Sequence, residues 1–326
     1  MKAIKAIITN KFFLGMVLIL LICLVPVFIT SKYLMHIFIL MLIWSIAALA
    51  LNLIMGYTGQ ANLAHGGFFG IGAYATALLM LNMGFGFWPA LILAAVITSV
   101  VGFLIGLPTL RTKGSYFAIG TLCFNVIVFI AAERWESLTG GARGVIGIPQ
   151  PAPISLFGAT LNFSSLAGMF YLCFFLLLIT LLIKYRIVHS LVGRSFIAVR
   201  ENEDLTGSIG IDTMKTKIIS FVVSVFLVSL SGSLYAVYIG FLDPEIASHH
   251  VTFEVLLFVV LGGIGTISGP IIGTVIVTIL GEILHFLDAY RLVAYGLVLV
   301  LVIIFMPQGI VGGIRTLRQR IGERNS

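Results

Sequence analysis

Apolar residues run along this chain in blocks of about 20, and charges fall almost entirely between the blocks. A helix needs about 20 mostly apolar residues to cross a bilayer. On that measure a first span runs from Phe12 to Thr30, after Lys2, Lys5 and Lys11. Its length of 19 residues and the lack of a clear small-x-small cleavage site favour a retained span over a removed signal. Gly and Pro breaks divide the next stretch into Tyr33–Met55, Gly67–Met83 and Trp88–Leu107. Further spans are predicted at Ser115–Ala132, Leu166–Ile183, Ile218–Gly240 and Leu292–Met306.

The stretch Phe253–Phe286 has 34 residues, long for one crossing at 1.5 Å per residue, and carries a breaker-rich run in its middle. Counting basic residues decides how often it crosses. Both ends of the chain are basic, at Lys2, Lys5 and Lys11 and at Arg315, Arg318, Arg320 and Arg324, so both termini are expected in the cytoplasm. Two short helices meeting near Gly265–Pro270 give an even count of ten spans. Then 15 of the 19 Lys and Arg lie inside, and only Lys32, Arg134, Arg143 and Arg291 outside. The expectation is an all-α polytopic membrane protein of about ten transmembrane helices with glycine-rich broken segments, eight if some segments only re-enter.

Composition excludes a soluble enzyme: 60% of residues are apolar and 10% charged, against about 45–50% and 25% in soluble domains. The formal charge of +7 is read as cytoplasmic loop bias, not nucleic-acid binding. Cys23, Cys123 and Cys173 sit inside apolar runs without metal-ligand spacing. No P-loop, H-E-x-x-H, nucleophile elbow or C-x-x-C occurs, so neither a nucleotide site, a catalytic set nor a metal site is expected in this chain. Glu282 and His285, three apart on one helix face, are the one intramembrane acid–base candidate, and their place near the outer surface favours an interfacial pair.

Residues 1–326 are read as a single membrane domain carrying two extramembrane segments: an external one over 133–165 and an internal one over 184–217. Four runs are richer in glycine and polar residues than hydrophobicity requires. The first, Gly56 to Tyr74, carries Gly59, Gln60, Asn62, His65 and Gly66; the second, Leu261 to Gly273, carries Gly262, Gly263, Gly265 and Gly269. Irregular backbone at membrane depth needs protein or a water-filled cavity around it, and paired broken helices mark translocation paths. Close glycine packing is the alternative explanation of the same runs. The third, Gly193 to Asp212, reads as a mixed-charge cytoplasmic helix from Ser195 to about Ser208, ended by glycines and suited to docking or simply solvated. The fourth is the external loop with Gly140, Gly141, Arg143 and Gly144.

These runs, with Met306-Pro307-Gln308-Gly309-Ile310-Val311-Gly312 at the end, occur in the order seen in LivM-type permeases, and the chain resembles that family from about Tyr33 to Gly312. The resemblance implies a membrane subunit of an ABC importer for leucine, isoleucine and valine, in the bacterial cytoplasmic (inner) membrane. It implies as partners a LivH-type permease, two cytoplasmic ATP-binding subunits holding ATP and Mg, and an extracytoplasmic substrate-binding protein; close relatives carry urea, amides or other amino acids. By position, Gly193, Arg194, Arg200, Glu201, Asn202, Glu203 and Gly210 fall in the family's ATPase-coupling loop, with Arg200-Glu201-Asn202 as its Arg-Glu-Asn. Gln60 and His65 match polar positions of the glycine-rich run, while Asn62 stands where serine is more usual. An ion-coupled secondary transporter or channel, built around Glu282, is the competing expectation.

Overall fold

The computed structural model describes residues 21–29, 31–156, 159–283, 296–297, 300 and 309–313. The predicted spans at Phe12–Thr30 and Leu292–Met306 therefore lie largely outside the described residues, as do His285 and both chain ends. Residues 21–28 form helix α1. Among the described residues five helices are long and apolar enough to cross a membrane. They are α2 (Lys32–Asn52, continued by a π turn over Leu53–Tyr57), α4 (Phe87–Thr109), α5 (Ser115–Arg134), α7 (Leu166–Val188) and α10 (Thr213–Ile239). Helix α3 (His65–Asn82) matches the predicted third span to within two residues.

The two short helices expected in this stretch are present as α11 (His249–Gly262) and α12 (Gly269–Ile283), separated by the glycine-rich turn. The helices begin where the chain can satisfy its free N–H groups. Ser31 caps α2 by accepting from the Leu34 N–H, Ser165 caps α7 at Gly168 and Asp212 caps α10 at Lys215.

Helix α10 is the core of the bundle and packs on α2, α3 and α4. Its buried serines do the joining. Ser224 donates to the Ala50 carbonyl at 2.7 Å and Ser231 to that of Ile43 at 2.6 Å. Thr76 donates to Ser233 at 2.7 Å, and Thr98 meets Ser229 at 3.1 Å. Water provides no hydrophobic drive between helices in lipid, so close approach and such interhelical bonds, about 0.6 kcal/mol each, hold the bundle. An aromatic cluster of Trp44, Phe69, Tyr235 and Phe258 fills the space between α2, α3, α10 and α11.

Two details differ from expectation. Short strands accompany the helices. Within residues 133–165, after a one-turn helix α6 (Glu136–Thr139), strand β1 (Val145–Ile146) pairs antiparallel with β4 (Phe241–Leu242), Val145 opposite Leu242. Strands β2 (Ile154–Leu156) and β3 (Ala159–Leu161) form a hairpin. Lys184 and Lys217, the expected bounds of the internal segment, lie within α7 and α10 and are both buried. The single helix expected from Ser195 is instead two, α8 (Leu191–Glu201) and α9 (Glu203–Ser208). Asn202 separates them in an extended conformation (φ −160°), and its side chain caps α9 by accepting from the Leu205 N–H at 2.9 Å. An Asn side chain that can bond the backbone ahead competes with continuing the helix, so it becomes a cap.

Candidate functional site

The first break starts in α2. The helix loosens into the π turn, and the chain then runs without regular structure from Gly59 to Ala64 before α3 starts at His65. π turns occur most often at functional sites. Gly59 and Gln60 are at least partly exposed, whereas Gly56, Asn62, His65 and Gly66 are buried. The open N-terminus of α3 is satisfied from inside. Thr252 of α11 accepts the Gly66 N–H at 2.8 Å, and Asn125 of α5 accepts that of Gly67 at 2.5 Å. Asn125 also accepts from the Thr252 hydroxyl at 3.2 Å and donates to the Ala247 carbonyl at 3.2 Å. His65 Nε2 lies 3.1 Å from the Ala47 carbonyl, while its Nδ1 and Asn62 Nδ2 are buried without a partner.

The second break is a turn between two tightly packed helices. A methyl group at Gly262 would collide with the Gly269 carbonyl oxygen, and one at Gly273 with that of Phe258. Gly263 and Gly269 are equally buried, and Gly265 is half-buried. These glycines let α11 and α12 approach backbone to backbone, the packing explanation of the run.

The two breaks meet. Asn52, fully buried in the last turn of α2, accepts the Gly265 N–H at 2.8 Å and donates to the Thr266 carbonyl at 2.6 Å. The third run joins them there: Arg200, at the end of α8, donates from Nη1 to the Gly56 carbonyl at 2.6 Å and from Nη2 to Glu201 at 3.0 Å. The sequence reading named Arg200, Gly56 and Gly265 but not Asn52. The available signal was a lone amide inside an apolar run, one turn before a glycine.

The rest of the α8–α9 pair is pinned to the bundle by charge. Lys217 Nζ donates to Glu203 at 2.7 Å and to the Leu110 carbonyl at 2.9 Å. Lys113, in the connection from α4 to α5, pairs with Asp204 at 2.8 Å. That bond and its charge hold the Asp204 carboxyl below the usual carboxylate range and raise the Lys113 ammonium above its own. Gly193 is buried where α8 turns out of α7, Arg194, Glu201 and Asn202 are exposed, and Gly210 follows α9 with φ +88°. Leu191, Val192, Ile197, Leu205 and Ile209 stand exposed on the same segment. Lys184, read from sequence as the loop's first residue, is instead fully buried with its Nζ 5.6 Å from the centre of the Tyr57 ring.

At the other end of the bundle, Gly140, Arg143 and Gly144 line a cavity of about 620 Å³ with Glu136, Ala142 and Ile146. Gly141 is buried beneath it. Glu282 accepts a hydrogen bond from the Tyr33 hydroxyl at the first turn of α2, and His36 one turn on meets the Tyr238 hydroxyl at 2.6 Å. Among the described residues no group of three or more His, Cys, Asp or Glu side chains is arranged to hold a metal ion.

Comparison with known proteins places this architecture. Residues 33–306 match the family described as branched-chain amino acid transport system, permease component. The high-affinity branched-chain amino acid transport system permease protein LivM of Salmonella typhimurium is 33% identical over 290 residues, 82% of this chain and 68% of the relative. LivM of Escherichia coli K12 is 33% identical over 301 residues, 87% of this chain and 71% of the relative. LivH of the same strain, also a permease protein, is 27% identical over 289 residues, 82% of this chain and 91% of the relative. No solved structure matches. With multiple membrane-spanning helices, paired glycine-rich breaks and this coverage, the chain is a multi-pass membrane protein and belongs to the branched-chain amino acid transport permeases of the LivM type.

Proposed function

We propose that the chain is one half of the translocation path of an ATP-driven ABC importer for leucine, isoleucine and valine. A LivH-type permease is the other half. Two cytoplasmic ATP-binding subunits carry the ATP and Mg, this chain holding neither, and an extracytoplasmic protein delivers the amino acid. The setting is the bacterial inner membrane, with ten spans and both termini in the cytoplasm. The path runs along the first break, from Gly56, Gly59 and Gln60 through Asn62, His65 and Gly66, and past Gly262, Gly263, Gly265 and Gly269. The cavity at Gly140, Gly141, Arg143 and Gly144 receives the binding protein.

The observation that carries the reading is the junction of α8–α9 with the bundle. A helix pair with exposed apolar and charged residues rests directly on the end of the broken helix α2. A partner that moves it therefore moves the break. Allosteric coupling needs an element that both sites bias, and contact with the break is the first requirement. Affinity purification of the tagged chain in mild detergent, followed by mass spectrometry, tests it. Two P-loop ATPases and a second permease are expected. A lone chain that transports by itself overturns the proposal and favours the ion-coupled transporter, with Glu282 as its centre.

A further inference from the structure

Both glycine-rich breaks and the cytoplasmic helix pair converge on one guanidinium. Arg200 Nη1 holds the carbonyl of Gly56, inside the π turn. Gly59 (φ +75°) lies against the Arg200 stem so closely that a Cβ there would sit 2.8 Å from Cγ. Gly265 (φ +75°) closes the other side: its Cβ would sit 3.0 Å from Nη1 and 2.9 Å from the Gly56 oxygen. Only glycine combines that left-handed backbone with that proximity. Asn52 completes the ring by bonding both Gly265 and Thr266.

We infer that Arg200 is a positioning residue of the transport cycle that acts inward, not as a contact for the ATPase. Together with Asn52 it clasps the first break to the second and ties the position of both to helix α8. The side chain is 39% exposed, and each of its two terminal nitrogens donates within the chain, one to Gly56 and one to Glu201. The planar fork holds the carbonyl and the carboxylate from two separate nitrogens at a fixed spacing, which the single nitrogen of a lysine does not reproduce. A bond of 2.6 Å leaves hydrogen-bonding range when α8 shifts by about 1 Å. Small displacements of the docking helix are therefore felt at both breaks together.

The inference rests on the proposal that α8–α9 receives the ATPase, and its test separates the two. The chain and its Arg200→Ala, Arg200→Lys and Asn52→Ala variants are assembled with the partner permease and ATPase subunits. Each complex is placed in proteoliposomes with the binding protein and labelled leucine. ATPase subunits retained, ATP hydrolysed and leucine moved are then measured. All variants are expected to retain the ATPase subunits. Arg200→Ala and Asn52→Ala are expected to lower the leucine moved per ATP at least tenfold, and Arg200→Lys to fall between them and the parent.

Loss of ATPase subunits from Arg200→Ala, with an unchanged ratio in the complexes that form, would make Arg200 a docking residue and overturn the inference. A parental ratio in Asn52→Ala overturns it as well. That variant decides the matter even where Arg200→Ala does not assemble, because Asn52 lies outside the cytoplasmic segment. An unmodified chain that binds no ATPase, or moves leucine without ATP, sinks the importer proposal and the clasp with it. Normal coupling in the parent and in every variant sinks the clasp alone.

Discussion

Removing the Glu203 carboxylate is expected to loosen the α8–α9 pair by a measurable amount. Lys217 is 4% exposed and Glu203 22%, so the ammonium is a buried charge held by one carboxylate and the Leu110 carbonyl. Breaking a fully buried pair costs about 3–5 kcal/mol and an exposed one about 0–1 kcal/mol. The partial exposure of Glu203 puts Glu203→Gln between these limits, at about 2–3 kcal/mol. At about 1.4 kcal/mol per tenfold, the opening equilibrium of α9 and the first turn of α10 rises roughly 30- to 150-fold. Amide hydrogen exchange reads such local opening directly, in the detergent-purified protein, over peptides covering residues 203–217. Adding Lys217→Met to Glu203→Gln should recover at least half of the lost protection, because removing both partners is far milder than stranding one. Protection within threefold of the parent in the single variant, or no recovery in the double one, would refute the claim that this pair holds the segment.

Three further outcomes are expected. Asn125→Ala strips partners from the Gly67 N–H and the Ala247 carbonyl. With buried groups unsatisfied at about 1–3 kcal/mol each in water-soluble cores and less in bilayers, its thermal midpoint in detergent should fall by several degrees, and an unchanged midpoint would remove Asn125 as the plug of helix α3. The Lys113–Asp204 pair works in the opposite regime. Because Asp204 is held below the usual carboxylate range, its contribution is present above that range and is lost only as pH falls through the lowered value. The raised Lys113 loses its part only above the ordinary lysine range. Protection of α9, corrected for the intrinsic pH dependence of amide exchange, should thus be flat between about pH 5 and pH 9 and, for so exposed a pair, fall slightly with added salt; a transition near neutrality would contradict the assignment. Finally, Glu282→Gln should leave leucine uptake intact, since Glu282 bonds Tyr33 at the rim of the bundle. Loss of uptake with normal assembly would revive an ion-coupled mechanism.

Much of the architecture is written locally in the chain. Apolar runs near 20 residues, interrupted by Gly, Pro and charge, located α2, α3, α4 and α5 to within about two residues at most boundaries. The excess length of 253–286, together with the basic bias, divided it into α11 and α12. The glycine-rich runs were legible as places where the helix fails, and they are: the π turn at Leu53–Tyr57 and the turn before Gly269. Span ends were less visible where charge enters a helix. Lys184 and Lys217 read as loop residues, yet both lie buried, one beside Tyr57 and one on Glu203 and Leu110. A long amphipathic stem carries its charge past the apolar run to wherever a partner sits.

Asn202 similarly marked a polar helix in the sequence and ends one in the structure, because its amide finds the Leu205 N–H ahead of it. Membrane class, broken helices and the loop between α7 and α10 follow from composition and spacing, which act over a few turns of chain. That Arg200 reaches the Gly56 carbonyl, and Asn52 the backbone of Gly265 and Thr266, is decided by tertiary packing alone. Those partners are separated by 144 and by more than 200 positions. No local preference encodes such pairs. They exist because glycines at the contacts let three segments come close enough for a side chain to bond bare backbone.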